Sequence, residues 1–302
     1  MFEITRWAEE FLSKYNAGIT NSFVIYGNIG DYAIDNTLVV DYLVELLKYV
    51  GMDEIGTYDN SEELSIIKTN RSRNDESDKS WAYMCSELKR CQCKKAYIIR
   101  YPEMILPSGD KYLSDHEKNQ VIELHKALNS TGFLNSSNIV IFLTESSQNI
   151  NSMFLNSNSK TATINITLPI YEERLSFIES TLSFVDEDDI LDKKHNMRIK
   201  NLKKEITIEE FANLTAGLGL TNIEDIVLIA LTKGILSRNM ILDRKKELIQ
   251  KEFGEIIEIM DTEGYSLSQF AGQEKIKNYF KEVVIDAVKE QDLEIVPKGI
   301  LL

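Results

Sequence analysis

The sequence predicts an α/β layer followed by a helical region, and two observations predict it. Short, wholly apolar runs, Phe23–Tyr26, Ala96–Ile99 and Ile139–Leu143, alternate with segments whose apolar residues recur at helical spacing. Runs of roughly 4–8 such residues bounded by polar groups are the mark of strands buried on both faces. Beyond Pro169 the second observation takes over: helical stripes dominate, from Tyr171 to Ile178, Thr207 to Ser237 and Arg238 to Met260. An alternating front half and a helical rear half place the chain in the α/β class with a small bundle attached.

Taken in order, Trp7 to Tyr15 reads as a helix with Trp7, Phe11 and Leu12 inward. Strand Ser22–Tyr26 runs into the loop Gly27-Asn28-Ile29-Gly30-Asp31, and Asp35-Asn36-Thr37 offers an N-cap to a helix striped by Leu38, Val39, Tyr42, Leu43, Leu46, Leu47 and Val50. Residues Ile55–Tyr58 make a weak strand, with a second apolar patch at Leu64, Ile66 and Ile67. The polar run Asn70–Lys79 reads as a loop. Helix is expected over Ser80–Cys91 and Ser114–Thr131, and strand over Asn138–Ser146, with a polar end, and Thr161–Pro169. Asp186–Lys204, acidic and then basic, reads as an exposed loop.

Composition narrows the function classes. At 302 residues the chain suits about two domains, and 48 acidic against 34 basic residues give a formal charge of −14. No face is visibly basic, which argues against a nucleic-acid binder. No run is long enough to span a bilayer, and the N-terminus lacks a signal pattern, so the cytosol is the expected compartment. Cys85, Cys91 and Cys93 form no even disulfide set, and no histidine sits at ligand spacing beside them.

A strand, a Gly-containing loop and a capped helix form an arrangement that can hold phosphate, because loop N–H groups and the helix N-terminus both favour an anion. The lysine that would pair with the phosphates is missing here, as is the Ser/Thr that would ligate magnesium; no lysine occurs between Lys14 and Lys48. Gly27, Asn28 and Gly30 thus have the shape of a phosphate site without its chemistry, and a plain strand–helix turn is the better reading. Nucleotide binding there without cleavage stays open as an alternative.

The last stretch reads as a beginning. Phe270-Ala271-Gly272 precedes a helical stripe at Ile276, Tyr279, Phe280, Val283, Val284, Ala287 and Val288, and then the strand Ile295-Val296-Pro297-Lys298-Gly299-Ile300-Leu301-Leu302. This segment resembles the opening of an AAA+ ATPase module. The resemblance implies that Ala271 and Gly272 lie on the adenine side of a second module whose phosphate loop follows Leu302, and that ATP and magnesium belong to that module. The other reading of the segment is an ordinary domain with a frayed C-terminal strand.

With that resemblance in view, five landmarks over residues 20–236 fall in AAA+ order. They are the loop strand, a Walker B-like strand ending Arg100-Tyr101-Pro102-Glu103, a sensor 1-like strand ending at Thr144, the Leu168-Pro169 junction and a helical lid. Arg100 has the wrong sign to replace a metal-binding aspartate, which leaves Glu103 as the surviving acid; no arginine occurs between Arg100 and Arg174, where the finger that reaches a neighbour's ATP would stand. Arg174 reads as a helix-start salt bridge. Leu220 occupies the place of the small residue that lets the lid approach nucleotide, so packing is the expected role of that helix.

The resemblance implies a P-loop NTPase-like parallel sheet flanked by helices with a helical lid subdomain. It divides the chain into a degenerate core (1–169), a lid (170–236), a linker helix (237–269) and the start of a second module (270–302). The function it implies is an N-terminal pseudo-ATPase region of a ring-forming AAA+ ATPase that remodels proteins, with no catalytic residue and no hydrolysis within 1–236. Expected partners are further copies in a ring, a hexamer by the resemblance, and an unidentified protein; neither membrane nor nucleic acid is expected. The alternative is a non-catalytic scaffold resembling inactive clamp-loader subunits, against whose DNA contacts the acidic charge counts.

Overall fold

The computed structural model describes residues 2–68, 80–90, 92–109, 113–156, 160–184, 190–254, 266–267 and 272–285. The chain forms two compact units, Met1–Lys245 and Lys246–Leu302.

The first unit opens with α1 (Arg6–Asn16), β1 (Ser22–Gly27), a hairpin β2 (Tyr32–Ile34) and β3 (Thr37–Leu38), and α2 (Val39–Tyr49). It continues through β4 (Glu54–Asp59), β5 (Glu63–Lys68), α3 (Trp81–Glu87), β6 (Lys95–Arg100), α4 (Pro102–Ile105), α5 (Asp115–Leu128), α6 (Thr131–Leu134), β7 (Ile139–Thr144) and β8 (Thr161–Ile166). The six-stranded sheet runs β5-β4-β6-β7-β1-β8. Every neighbouring pair is parallel except β4 with β5, so the expected parallel sheet is present and carries one antiparallel edge strand. Ile55–Tyr58, weak in the sequence, lies inside the core strand β4; the apolar patch behind it is the antiparallel edge strand β5. The Asn70–Lys79 run lies outside the described residues.

Alternate residues of each strand feed two cores. Phe23, Ile25, Ile139, Ile141 and Leu143 face α1 and α2, against Phe11, Tyr42, Leu43 and Leu46. Val24, Val140, Phe142, Tyr97 and Ile99 face α3, α5 and α6, against Trp81, Met84, Leu124 and Phe133. Each such fully buried side chain contributes roughly 1.5–3 kcal/mol relative to exposure. That is why β7 has no polar residue until its end. At the β8 rim, Lys14 of α1 donates to the Thr163 carbonyl at 3.1 Å, covering an acceptor that an edge strand leaves open.

At the N-terminal ends of the strands, buried Lys95 pairs with Glu87 at 2.5 Å and with Glu54 at 3.3 Å. Burial alone would lower this ammonium's pKa, but the Glu87 hydrogen bond and the charge of Glu54 outweigh it and raise it.

Past Pro169 come α7 (Tyr171–Thr181), α8 (Ile190–Lys200), β9 (Lys203–Lys204), α9 (Ile208–Leu214), α10 (Leu220–Lys233), β10 (Ile235–Leu236) and α11 (Arg238–Phe253). Much of Asp186–Lys204 is therefore helix α8 and a strand paired with β10 rather than a loop. Two-residue strands β9 and β10 pin the base of α8 to the end of α10, where Gly234 closes the helix in the left-handed region.

In the second unit, α12 (Glu274–Tyr279) continues into a π-helical stretch, Phe280–Ile285. Phe270, Ala271 and the expected strand Ile295–Leu302 lie outside the described residues, and Gly272 takes a positive φ of 76° ahead of the helix. Among the described residues, no helix is long and apolar enough to cross a membrane.

Candidate functional site

Connections diverge at β1: β1 leads back across β7 and β6 to β4, whereas β7 leads across β1 to β8 on the other side, and the crevice outside the carboxyl ends at such a point is where open α/β sheets bind ligands. The register sets Tyr26 opposite both Thr144 and Asn165, so the ends of β1, β7 and β8 meet there.

The loop after β1 turns inward. Gly27 sits at φ 105°, and a Cβ there would stand 2.5 Å from the Ile166 carbonyl oxygen and 2.6 Å from Asn165 Oδ1, so only glycine fits. Its N–H donates to the Glu145 carbonyl at 3.2 Å; Asn28 N–H donates to Ile166 at 2.9 Å, and Ile29 N–H to Gly27 at 2.8 Å. Three successive N–H groups that a phosphate cradle would aim at its ligand are committed to backbone carbonyls. Gly30 has open space where its side chain would be.

Asp31 follows, and it is 3% exposed. Its Oδ2 accepts from the backbone N–H of Leu220 at 2.8 Å and from Asn28 Nδ2 at 2.7 Å, while Oδ1 accepts from Thr221 N–H at 2.8 Å. A residue of the core loop thus caps the N-terminus of lid helix α10. Gly219 makes room for it, since a Cβ at that position would lie 2.5 Å from Asp31 Oδ2. Beside Leu220 the small residue is Gly219, one position earlier, and the group it admits is a carboxylate of the same chain. Nothing in the local sequence marks Asp31 beyond an acid at the end of a glycine loop.

The loop does not pass directly into a helix either. The β2–β3 hairpin intervenes, with Asp35 at φ 43° in its turn, and α2 starts at Val39 behind Leu38, which makes no side-chain cap. The expected N-cap at Asp35–Thr37 is therefore a hairpin turn. Tyr32 reaches from the hairpin to the lid, donating to Glu224 Oε2 at 2.7 Å; that hydrogen bond raises the phenol above its ordinary value.

Glu103 and Thr144 are brought together. Thr144, 1% exposed, donates through Oγ1 to Glu103 Oε2 at 2.9 Å. Glu103 lies in the first turn of α4, which begins after Tyr101 in the left-handed region (φ 50°), with the Arg100 guanidinium 5.4 Å from the Tyr101 ring. Arg174 is buried, and its hydrogen bonds go to the carbonyls of Pro169 (2.6 Å) and Ala212 (3.0 Å). It is a strut between the junction and α9, not the salt bridge expected at a helix start; burial lowers its pKa.

A cavity of about 340 Å³ opens beside the loop, lined among others by Arg6, Asn28, Asp31, Tyr32, Asn165 and Glu173. Arg6 is the cation among its lining residues, and it is engaged with Glu173 at 2.8 and 3.1 Å and Thr167 at 3.4 Å. Residues 3–167 match the family model described as "AAA+ chaperone, N-terminal Rossmann-like domain", and residues 172–254 match "AAA+ chaperone, second helical domain". The chain belongs to the AAA+ chaperones. A comparison with curated proteins gives no match.

An AAA+ chaperone implies magnesium and ATP, which the groups of this crevice would have to hold. The N–H groups of Gly27, Asn28 and Ile29 are bonded to backbone carbonyls, Asp31 already holds the lid helix N-terminus, and Arg6 is paired. A second anion brought to this end of the sheet would meet the Asp31 and Glu103 carboxylates with no free lysine on the loop. These residues do not fit a nucleoside triphosphate.

Proposed function

We propose that residues 1–236 form a non-hydrolysing, ATPase-like region of an AAA+ chaperone, serving assembly, regulation or partner binding in a cytosolic protein-remodelling ring. The observation that carries the reading is the loop Gly27–Asp31, in which the N–H groups of Gly27, Asn28 and Ile29 are committed to backbone carbonyls and the one carboxylate faces the lid. The missing loop lysine, Arg100 in place of a metal-binding acid and the absence of arginine from 101 to 173 support it from the sequence. Phosphoryl transfer depends almost wholly on positioning and charge neutralisation, so a site without those groups has little catalysis left. ATP and magnesium, and the adenine-side role of Ala271 and Gly272, belong in this reading to a further module.

The test is phosphate release from Mg-ATP by residues 1–302, with wild type compared to Glu103→Gln and Thr144→Val. Background release from all three is the expected result. Turnover by wild type that falls in either variant would show a working site and overturn the proposal. Native mass spectrometry of the same samples tests the ring: masses of six copies support it, and a monomer at every concentration counts against it.

A further inference from the structure

We propose that Asp31 is a built-in anion that latches the helical lid onto the α/β core and holds it closed without a nucleotide. The inference rests on reading the crevice as one that takes no phosphate, and it adds what replaces the phosphate. Helix N-termini carry a partial positive charge of roughly half a unit and unsatisfied N–H groups, which an anion satisfies. Here the anion is Asp31, with both carboxylate oxygens on the first N–H groups of α10 and Asn28 fixing its orientation. Such charge-assisted bonds are the stronger kind, and at 3% exposure little water competes for them.

Two features set this contact apart from an ordinary cap. The capping acid comes from a different subdomain, 189 residues away in sequence, so the bond ties together two bodies that the chain itself connects through the junction after β8. The N-cap position itself is Gly219, which has no side chain to cap with and no Cβ to block the incoming oxygen. Tyr32 to Glu224 and Arg6 to Glu173 are further bonds from the N-terminal segment and hairpin to the lid. The lid's position is thereby written into the chain, whereas a nucleotide-dependent lid would respond to its ligand.

Hydrogen exchange of residues 1–302, read by mass spectrometry, tests the latch in wild type, Asp31→Ala and Gly219→Ala. The second variant keeps the carboxylate but pushes a methyl group into it. In both variants exchange over α10 should rise roughly tenfold or more, as expected for losing charge-assisted hydrogen bonds, while Ile139–Thr144 of β7 stays protected. Exchange over α10 equal to wild type in both variants would overturn the latch. Exposure of β7 together with α10 in both would overturn it too, by making Asp31 a general core contact. Millimolar ADP added to wild type separates the two readings: protection gained with ADP would overturn the phosphate-free crevice, whatever the variants show.

Discussion

Gly27→Ala should be severely destabilising while Gly30→Ala, three residues on, should be harmless. At Gly27 the new methyl carbon meets the Ile166 carbonyl oxygen at 2.5 Å, and φ is 105°. A non-glycine residue held in such a sparsely populated region costs about 1–3 kcal/mol. The carbonyl in the way also accepts the Asn28 N–H at 2.9 Å, so relieving the clash by moving it sacrifices a hydrogen bond. That adds about 0.5–1.5 kcal/mol. The sum, about 1.5–4.5 kcal/mol, corresponds to a fall in Tm of roughly 3–18 °C for a unit of this size. Gly30 has no atom within 4 Å of its would-be Cβ and no positive φ. An alanine there stiffens the unfolded chain and should be neutral or stabilising by about 0.4–1 kcal/mol. Scanning calorimetry on the two variants reads the difference directly. Equal melting temperatures would refute the claim that the loop is folded inward at Gly27 and free at Gly30.

Two further substitutions probe the junction and the sheet edge. Arg174→Met should leave the Pro169 and Ala212 carbonyls without their donor, cost about 2–4 kcal/mol, and expose the junction to limited proteolysis near Leu168. Resistance equal to wild type would remove the strut role. Asp59 is held below its ordinary 3.8 first by the Ser61 hydroxyl and then by backbone N–H groups of Glu62 and Ser61, working against burial. A depressed carboxylate contributes stability that is present above 3.8 and lost as pH falls through its lowered folded value. Urea melts of Asp59→Asn should therefore show a shallower loss of stability on acidification than wild type; identical slopes would discount the hydrogen bonds.

What the sequence revealed depended on how far apart the deciding partners are. β7 was legible because both its faces are buried, so its apolar run needs no knowledge of neighbours. β4 was harder, since Glu54 and Asp59 at its ends are buried polar groups satisfied by Lys95 and by the Ser61 turn. The α8 segment looked like a loop because its lysines and histidine swamp a thin apolar stripe, and its helical state follows from tertiary packing. The loop Gly27–Gly30 was located correctly as a strand-end turn, yet its chemistry turns on Asp31 and Gly219, whose meeting no local pattern announces. Glu103 and Thr144 were found as separate strand-end residues; their hydrogen bond is a product of sheet register.

The place of β1 in the sheet has a consequence for biogenesis. Ser22 touches Thr161, 139 residues later, and β1's other neighbour is β7. During synthesis at about 5–20 residues per second, Phe23, Val24 and Ile25 wait roughly 6–24 s before β7 is made, and roughly 7–28 s before both flanks are. For that interval the nascent chain of a chaperone carries the kind of bare, greasy strand that chaperones exist to guard.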